Sequence, residues 1–202
     1  MTYFIIYKID LKNMNKTLLN IAKRYLKDGG RVIELGCGEG EFINTLCDEV
    51  NNLGRVVGVD FFREPQKLNN KIEFIKQDLE NFNIDGTFDL VILSQVLEHI
   101  KNPIGLLERI KPILNKHGKI LIDVPNRRGL GNSARVYMPE HGKHYFLWDK
   151  ESLEFTLERL GFTCRFYNLY SIGGSDNFLV KYLPLIFRIQ NPNLICLVML
   201  DK

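Results

Sequence analysis

Three glycines crowd into five positions, Gly36, Gly38 and Gly40, directly behind the apolar run that holds Val32, Ile33 and Leu35 and a single acid, Glu34. Arg31–Leu35 reads as a buried strand, and a helix is expected from about Glu41 to Val50. The stretch VIELGCGEGEF is thus a strand, a tight loop and a helix start. Glycine accepts positive φ and carries no Cβ, so a ligand can lie against the backbone there. The free N–H groups at the start of the helix add a polar end to such a site.

The rest of the chain repeats the alternation. Lys16–Lys27 has Leu18, Leu19, Ala22, Tyr25 and Leu26 at helical spacing, and Asp28-Gly29-Gly30 stops it. Further strands are expected at Arg55–Asp60, Lys71–Gln77, Phe88–Leu93 and Lys119–Val124, the last closed by Pro125. A helix with Ile104, Leu107, Ile110, Ile113 and Leu114 on one face is expected over Asn102–Asn115, ended by His117-Gly118. Another runs from Asp149, as N-cap, to Leu160, with Gly161 beyond its end. Phe162–Leu169 and Asn193–Leu200 are the last two strands. Near-continuous apolar strands alternating with helices imply an α/β fold with a parallel sheet covered on both faces.

Size and composition set the outer bounds. The 202 residues suit a single domain spanning 1–202, with residues 1–30 as an N-terminal helical cap. Two segments break the alternation, 126–148 and 171–191, and both are expected near the acceptor side of a site. A net charge of +3 is too mild to imply a nucleic-acid binder. Cys37, Cys47, Cys164 and Cys196 show no metal-ligand spacing, and reduced thiols in a cytoplasmic protein are expected. The N-terminus has five apolar residues in a row but no basic region or cleavage site, so it does not read as a secretory signal. No apolar run approaches the roughly 18 residues of a membrane span.

Two acids sharpen the glycine loop. Asp60 closes the second strand and Asp78 follows the third. In a parallel sheet those ends share one edge, where ligands bind. One acid can accept from the two hydroxyls of a ribose, and a second can accept from an exocyclic amine. The spacing is GxGxG, with Glu41 standing where a dinucleotide fingerprint has its third glycine, which disfavours a nicotinamide dehydrogenase. Each acid alone also has a bland role as a turn or cap residue.

With IELGCGEG, GVDFF, KQDLENF, FDLVILSQVLEHI and LNKHGKILIDVPN in this order, the sequence resembles the class I S-adenosylmethionine (SAM)-dependent methyltransferases. The later HYFLWDKESLEFTLERLGF resembles the small-molecule, ubiquinone-biosynthesis-like branch. The resemblance implies a Rossmann-like, doubly wound sheet of seven strands, order 3-2-1-4-5-7-6, with strand 7 antiparallel. It implies SAM as cofactor. Glu34 then orders the loop or meets the methionine end, and Gly36, Cys37, Gly38 and Gly40 line that moiety. Asp60 binds the ribose, Phe61 packs on the adenine, Asp78 and Leu79 read the adenine edge, and Ser94 lies near the sulfonium. Methyl transfer needs no thiolate, so Cys37 is a small packing residue.

On the acceptor side, His99, His141 and His144 are candidate bases, and the pair His99 and His144 is favoured as catalytic. Some relatives in the ubiquinone and small-RNA branches carry Glu-x-x-Glu-His here and hold a divalent metal. This chain has Gln95 in place of the first acid, and no metal is expected. Arg127, Arg128, Arg135 and Lys143, interleaved with Tyr137, Tyr145, Phe146 and Trp148, read as a solvated basic loop or as a lid over an anionic or aromatic acceptor. FLVKYLPLIFR, from Phe178 to Arg188, fits core packing, a dimer contact or a lipid-linked acceptor at a membrane surface. The expected activity is methyl transfer to O or N of a small biosynthetic intermediate, with no specific nucleic-acid partner. The alternatives are an RNA or protein methyltransferase and a non-catalytic SAM-binding subunit.

Overall fold

The computed structural model describes residues 15–61, 65–129, 144–167 and 193–201. Seven strands form one sheet: β1 (Val32–Leu35), β2 (Val56–Asp60), β3 (Ile72–Lys76), β4 (Phe88–Ser94), β5 (Leu114–Pro125), β6 (Phe162–Tyr167) and β7 (Asn193–Leu200). Their order is β3-β2-β1-β4-β5-β7-β6. Every pairing is parallel except those of β7, which is antiparallel to both β5 and β6. This is the expected topology. The order reverses between β1 and β4, so the crevice at their carboxyl ends is where a ligand belongs.

The period of two along each strand divides the apolar residues between two cores. Val32, Leu90, Ile92, Leu121 and Ile195 face one side. There they meet α1 (residues 15–25), through Leu18, Ile21 and Ala22, and α2 (Glu41–Glu49), through Phe42, Ile43 and Leu46. Ile33, Leu35, Val91, Leu93, Ile120, Ile122 and Val124 face the other side. They meet Leu106, Leu107 and Ile110 of α3 (Pro103–Ile110) and Leu153 and Leu157 of α4 (Lys150–Arg159). Each fully buried Leu or Ile contributes roughly 1.5–3 kcal/mol of transfer free energy. The helices are held by these stripes more than by intrinsic propensity.

The caps follow the sequence closely. Asp149 accepts from Ser152 N–H at 3.0 Å, and the Ser152 hydroxyl returns a bond, a full capping box. Gly161 ends α4 at φ 74°. Asn102 caps α3, with Pro103 in its first turn.

One expected element divides differently. The helix foreseen over Asn102–Asn115 stops at Ile110, passes through a 3-10 turn (Lys111–Ile113) and becomes β5 at Leu114. Pro112 explains the break: it lacks an N–H and its ring clashes with the turn before it. Gly118 is then a position inside β5, not a helix stop. The β4–β5 register shifts between Phe88 and Leu90, and a Cβ at Gly118 would lie 2.7 Å from the Phe88 carbonyl. Among the described residues, no helix is long and apolar enough to cross a membrane. Residues 1–14 of the expected cap, most of 126–148 and all of 171–191 lie outside the described residues.

Candidate active site

The loop after β1 rises into the crevice between β1 and β4. Gly36 N–H and Cys37 N–H both donate to the Val59 carbonyl, at 2.7 and 3.0 Å, which folds the loop back on β2. Gly36 has φ 79°, and a Cβ there would lie 2.5 Å from Val96 Cγ2. Protein packing, not a ligand, excludes a side chain at that position. Gly38 differs: with φ 53°, nothing stands within 4 Å of its would-be Cβ. The open face of the loop is therefore at Gly38. Gly40 is the N-cap of α2.

Asp60, the last residue of β2, accepts from Gly38 N–H at 2.9 Å. It ties the loop to the second strand end. Phe61 follows it and is 55% exposed. Asp78 is exposed past β3, and its Oδ1 accepts from Glu80 N–H at 2.9 Å, an Asx turn that fixes the carboxylate at the edge. Leu79 is buried in the core beneath the loop, so only its backbone faces the edge. Cys37 is buried too, and burial pushes its thiol up to about 12, which leaves it protonated.

Glu34 sits under the loop at 3% exposure. One carboxylate oxygen accepts from Ile43 N–H in the first turn of α2, and Oε2 has no partner. Burial pushes its pKa up to about 8, and Asp60 adds to the rise. A buried carboxyl with an unused oxygen, beneath an open backbone loop, is ready for a cationic neighbour.

Across the crevice, β4 ends at Ser94 and the chain turns sharply at Gln95, which has φ 56°. A 3-10 turn (Leu97–His99) follows. Glu98 is 1% exposed, and neither of its carboxylate oxygens has a hydrogen-bond partner. Burial pushes it up to about 8, with Asp123 adding to the rise. His99 meets His144 edge to face, with ring centroids 4.7 Å apart. One ligand atom each from Glu98, His99 and His144 fall within 4.8 Å of one another, a group that could hold a metal ion.

Local structure explains how residues so far apart in sequence converge. Tyr145 N–H and Phe146 N–H donate to the Glu98 carbonyl at 2.7 and 3.3 Å. Arg127 N–H donates to the Trp148 carbonyl at 2.7 Å, and Asn126 bridges Trp148. Both ends of the long segment after β5 are thus pinned beside the 3-10 turn. Tyr145, Phe146 and Leu147 are exposed there, and Phe146 stacks on buried Trp148.

One sequence reading needs revision. Arg127 and Arg128 do not stand ready for an anionic acceptor: both pair with Asp149, at 2.8 and 3.3 Å, and Arg128 also reaches Glu151 at 3.1 Å. They brace the start of α4. His141, Arg135, Lys143 and Tyr137 lie outside the described residues. The sequence reading also passed over Asp123, fully buried in β5, with Ser94, Gln95 and Asn193 all donating to it. Its signal was a lone acid inside the apolar run KILIDV.

A seven-stranded sheet of this order, with a glycine loop on β1 and acids after β2 and β3, defines the class I SAM-dependent methyltransferases. The chain belongs to the methyltransferase-domain family, whose profile matches residues 7–165. It is 30% identical over 154 residues to an uncharacterised protein of Methanocaldococcus jannaschii, covering 73% of this chain and 71% of that one. It is 27% identical over 149 residues to the mitochondrial ubiquinone biosynthesis O-methyltransferase of Schizosaccharomyces pombe, covering 63% of this chain and 52% of that one. The chain thus spans about half the length of that relative. Among solved structures, the plantazolicin methyltransferase BpumL with a monoazolic desmethylPZN analogue and S-adenosylhomocysteine (SAH) matches at TM-score 0.72 and 18% identity, over 100% of this chain and 88% of that one. The chain thus carries a methyltransferase domain, and the cofactor such a domain takes is SAM.

The residues present fit that cofactor. The open face at Gly38, the orphaned Glu34 oxygen beneath it, Asp60 on the next strand and the exposed Phe61 ring form a path along the sheet edge.

Proposed function

We propose that the protein transfers a methyl group to an oxygen or nitrogen atom of a small biosynthetic intermediate with an apolar or aromatic body. The observation that carries this reading is the convergence of Glu98, His99 and His144 at the crevice, rimmed by exposed Tyr145, Phe146 and Leu147. The likeness to a ubiquinone biosynthesis O-methyltransferase supports it. The four free thiols support a reducing, cytoplasmic setting.

When bound, SAM supplies an electrophilic methyl on a sulfonium. Glu34, Gly36, Cys37, Gly38 and Gly40 hold its methionine end, Asp60 the ribose, and Phe61, Asp78 and Leu79 the adenine. Ser94 closes the β4 side. His99 or His144, as a neutral imidazole, accepts the proton that the acceptor hydroxyl or amine loses. Glu98, once ionised, would stabilise the imidazolium that results. The apolar rim excludes water and orients the acceptor.

A second reading rests on the same three residues. Glu98, with both oxygens unpartnered, and one nitrogen each of His99 and His144 have the donor chemistry of a divalent-cation site. Such an ion would make an acceptor hydroxyl more acidic.

The test uses SAM labelled on its methyl, with protein and a cell extract, with and without chelator, and Asp60→Ala as the blank. Label in small molecules or lipids is expected. Label confined to RNA or protein would overturn the acceptor class. Loss of transfer with chelator, restored by Mn²⁺ or Zn²⁺, would select the metal reading over the imidazole base.

A further inference from the structure

Gln95 occupies a backbone conformation that a long side chain rarely adopts. Its φ of 56° costs about 1–2 kcal/mol relative to an extended residue, and glycine would avoid the cost. A strained non-glycine residue persists where its surroundings over-determine it. Here one residue does so twice. Gln95 N–H donates to the Asp123 backbone carbonyl at 2.8 Å, and Gln95 Nε2 donates to Asp123 Oδ2 at 2.8 Å. An ionised carboxylate only accepts, so the amide nitrogen, not its oxygen, must face Asp123. Asn193 Nδ2 fills Asp123 Oδ1 at 2.9 Å, and Ser94 Oγ lies 3.5 Å from Oδ2.

Three and four residues past Gln95, Glu98 and His99 enter the cluster with His144. The direction in which the 3-10 turn leaves β4 decides whether they reach it. We infer that Gln95 is a positioning residue: its amide, clamped to Asp123, aims the turn so that Glu98 and His99 meet His144. The clamp needs a donor at position 95. An acid there would set two carboxylates against each other in a buried site, and one would have to carry a proton.

The inference rests on the proposed function only where turnover is read, so the experiment has an independent arm. That arm follows the imidazole NMR signals of His99 and His144 from pH 5.5 to 8.5 in Gln95→Glu, Gln95→Gly and the unaltered protein. His117, in β5 away from the cluster, is the internal control. Among the described residues, the titratable groups around Asp123 are Glu98 from the 3-10 turn and Cys196 from β7, and both are present in every variant. Gln95→Gly relieves the backbone strain but takes a donor from buried Asp123, so it should fold with a Tm at or modestly below that of the unaltered protein. It should nonetheless shift the His99 and His144 signals and lower turnover at least tenfold. Gln95→Glu should resemble the unaltered protein most closely near pH 5.5, where a shared proton restores a donor. It should depart from it as pH rises. Unmoved histidine signals in Gln95→Gly would overturn the inference, and so would a Gln95→Glu protein with unaltered signals at all pH values. Tighter Mn²⁺ binding by Gln95→Glu would also overturn it, because residue 95 would then reach the cluster instead of Asp123. Absence of turnover in the unaltered protein would count against the proposed function alone.

Discussion

The two sides of the crevice are built by different means. On the β1–β3 side, backbone does the work: three glycines, a fold-back onto the Val59 carbonyl and two acids at consecutive strand ends. On the β4–β5 side, buried side chains do it. Glu98, His99 and His144 meet because Asp123, Gln95 and the pinned segment around Tyr145 hold them there. Backbone recognition serves a ligand common to every turnover.

The division can be broken at single residues. His144→Ala should lower methyl transfer by roughly 10²–10⁴-fold with SAH affinity retained, because it removes a proton acceptor or a ligand. Comparable loss of SAH binding would merge the two sides. Asp60→Ala should weaken SAH binding about 100-fold, as two charge-assisted bonds worth about 3 kcal/mol vanish. Calorimetry reads both. Gly36→Ala should cost about 3 kcal/mol through left-handed strain and the clash with Val96, lowering Tm by roughly 6–12 °C. Gly38→Ala, facing open space, should cost less stability but more SAH affinity.

The pH dependence of stability also separates the sides. Glu34 and Glu98 are raised to about 8, and Asp123 to about 6, all chiefly by burial. The folded state therefore holds protons that the unfolded chain releases near pH 4. Their stabilisation is complete below that pH and is lost as pH rises through about 6 to 8. Asp149, lowered to about 2 by its cap bond from Ser152 and by Arg127 and Arg128, acts oppositely and only in acid. The Tm of the ligand-free protein should fall between pH 5.5 and 8.5, and Glu34→Gln should flatten that fall. An unchanged slope would mean Glu34 is ionised beneath the loop. The smallest effect is expected from Arg128→Ala: about 0.5 kcal/mol of stability from an exposed pair and no change in acceptor KM. A raised KM would restore the anionic-acceptor reading.

The same contrast explains what could be read from the sequence. The β1–β3 side is local: a strand, its loop and its helix start are neighbours in the chain, and GxGxG, Asp60 and Asp78 can be placed at the sheet edge from the sequence alone. The run of strands and helices implied a parallel sheet, and its order came only with the family resemblance. The acceptor side is assembled from segments far apart. His99 and His144 could be named from their places after β4 and β5, but the burial of Glu98 and the commitment of Gln95 to Asp123 have no local signature. Arg127 and Arg128 misled because a basic aromatic loop looks alike whether it grips a ligand or its own helix cap. Pro112 was legible in principle, since proline inside a helical pattern marks its end.

The most direct test of this division is SAH affinity measured by calorimetry on Glu98→Gln, beside its methyl-transfer rate. Glu98 is buried on the β4–β5 side and, among the described residues, is the one acid of the acceptor cluster. The account predicts a Kd within about threefold of the unaltered protein, under about 0.7 kcal/mol, with transfer down about 100-fold or more. A Kd weakened as much as the rate would contradict it, and would make Glu98 part of the cofactor site.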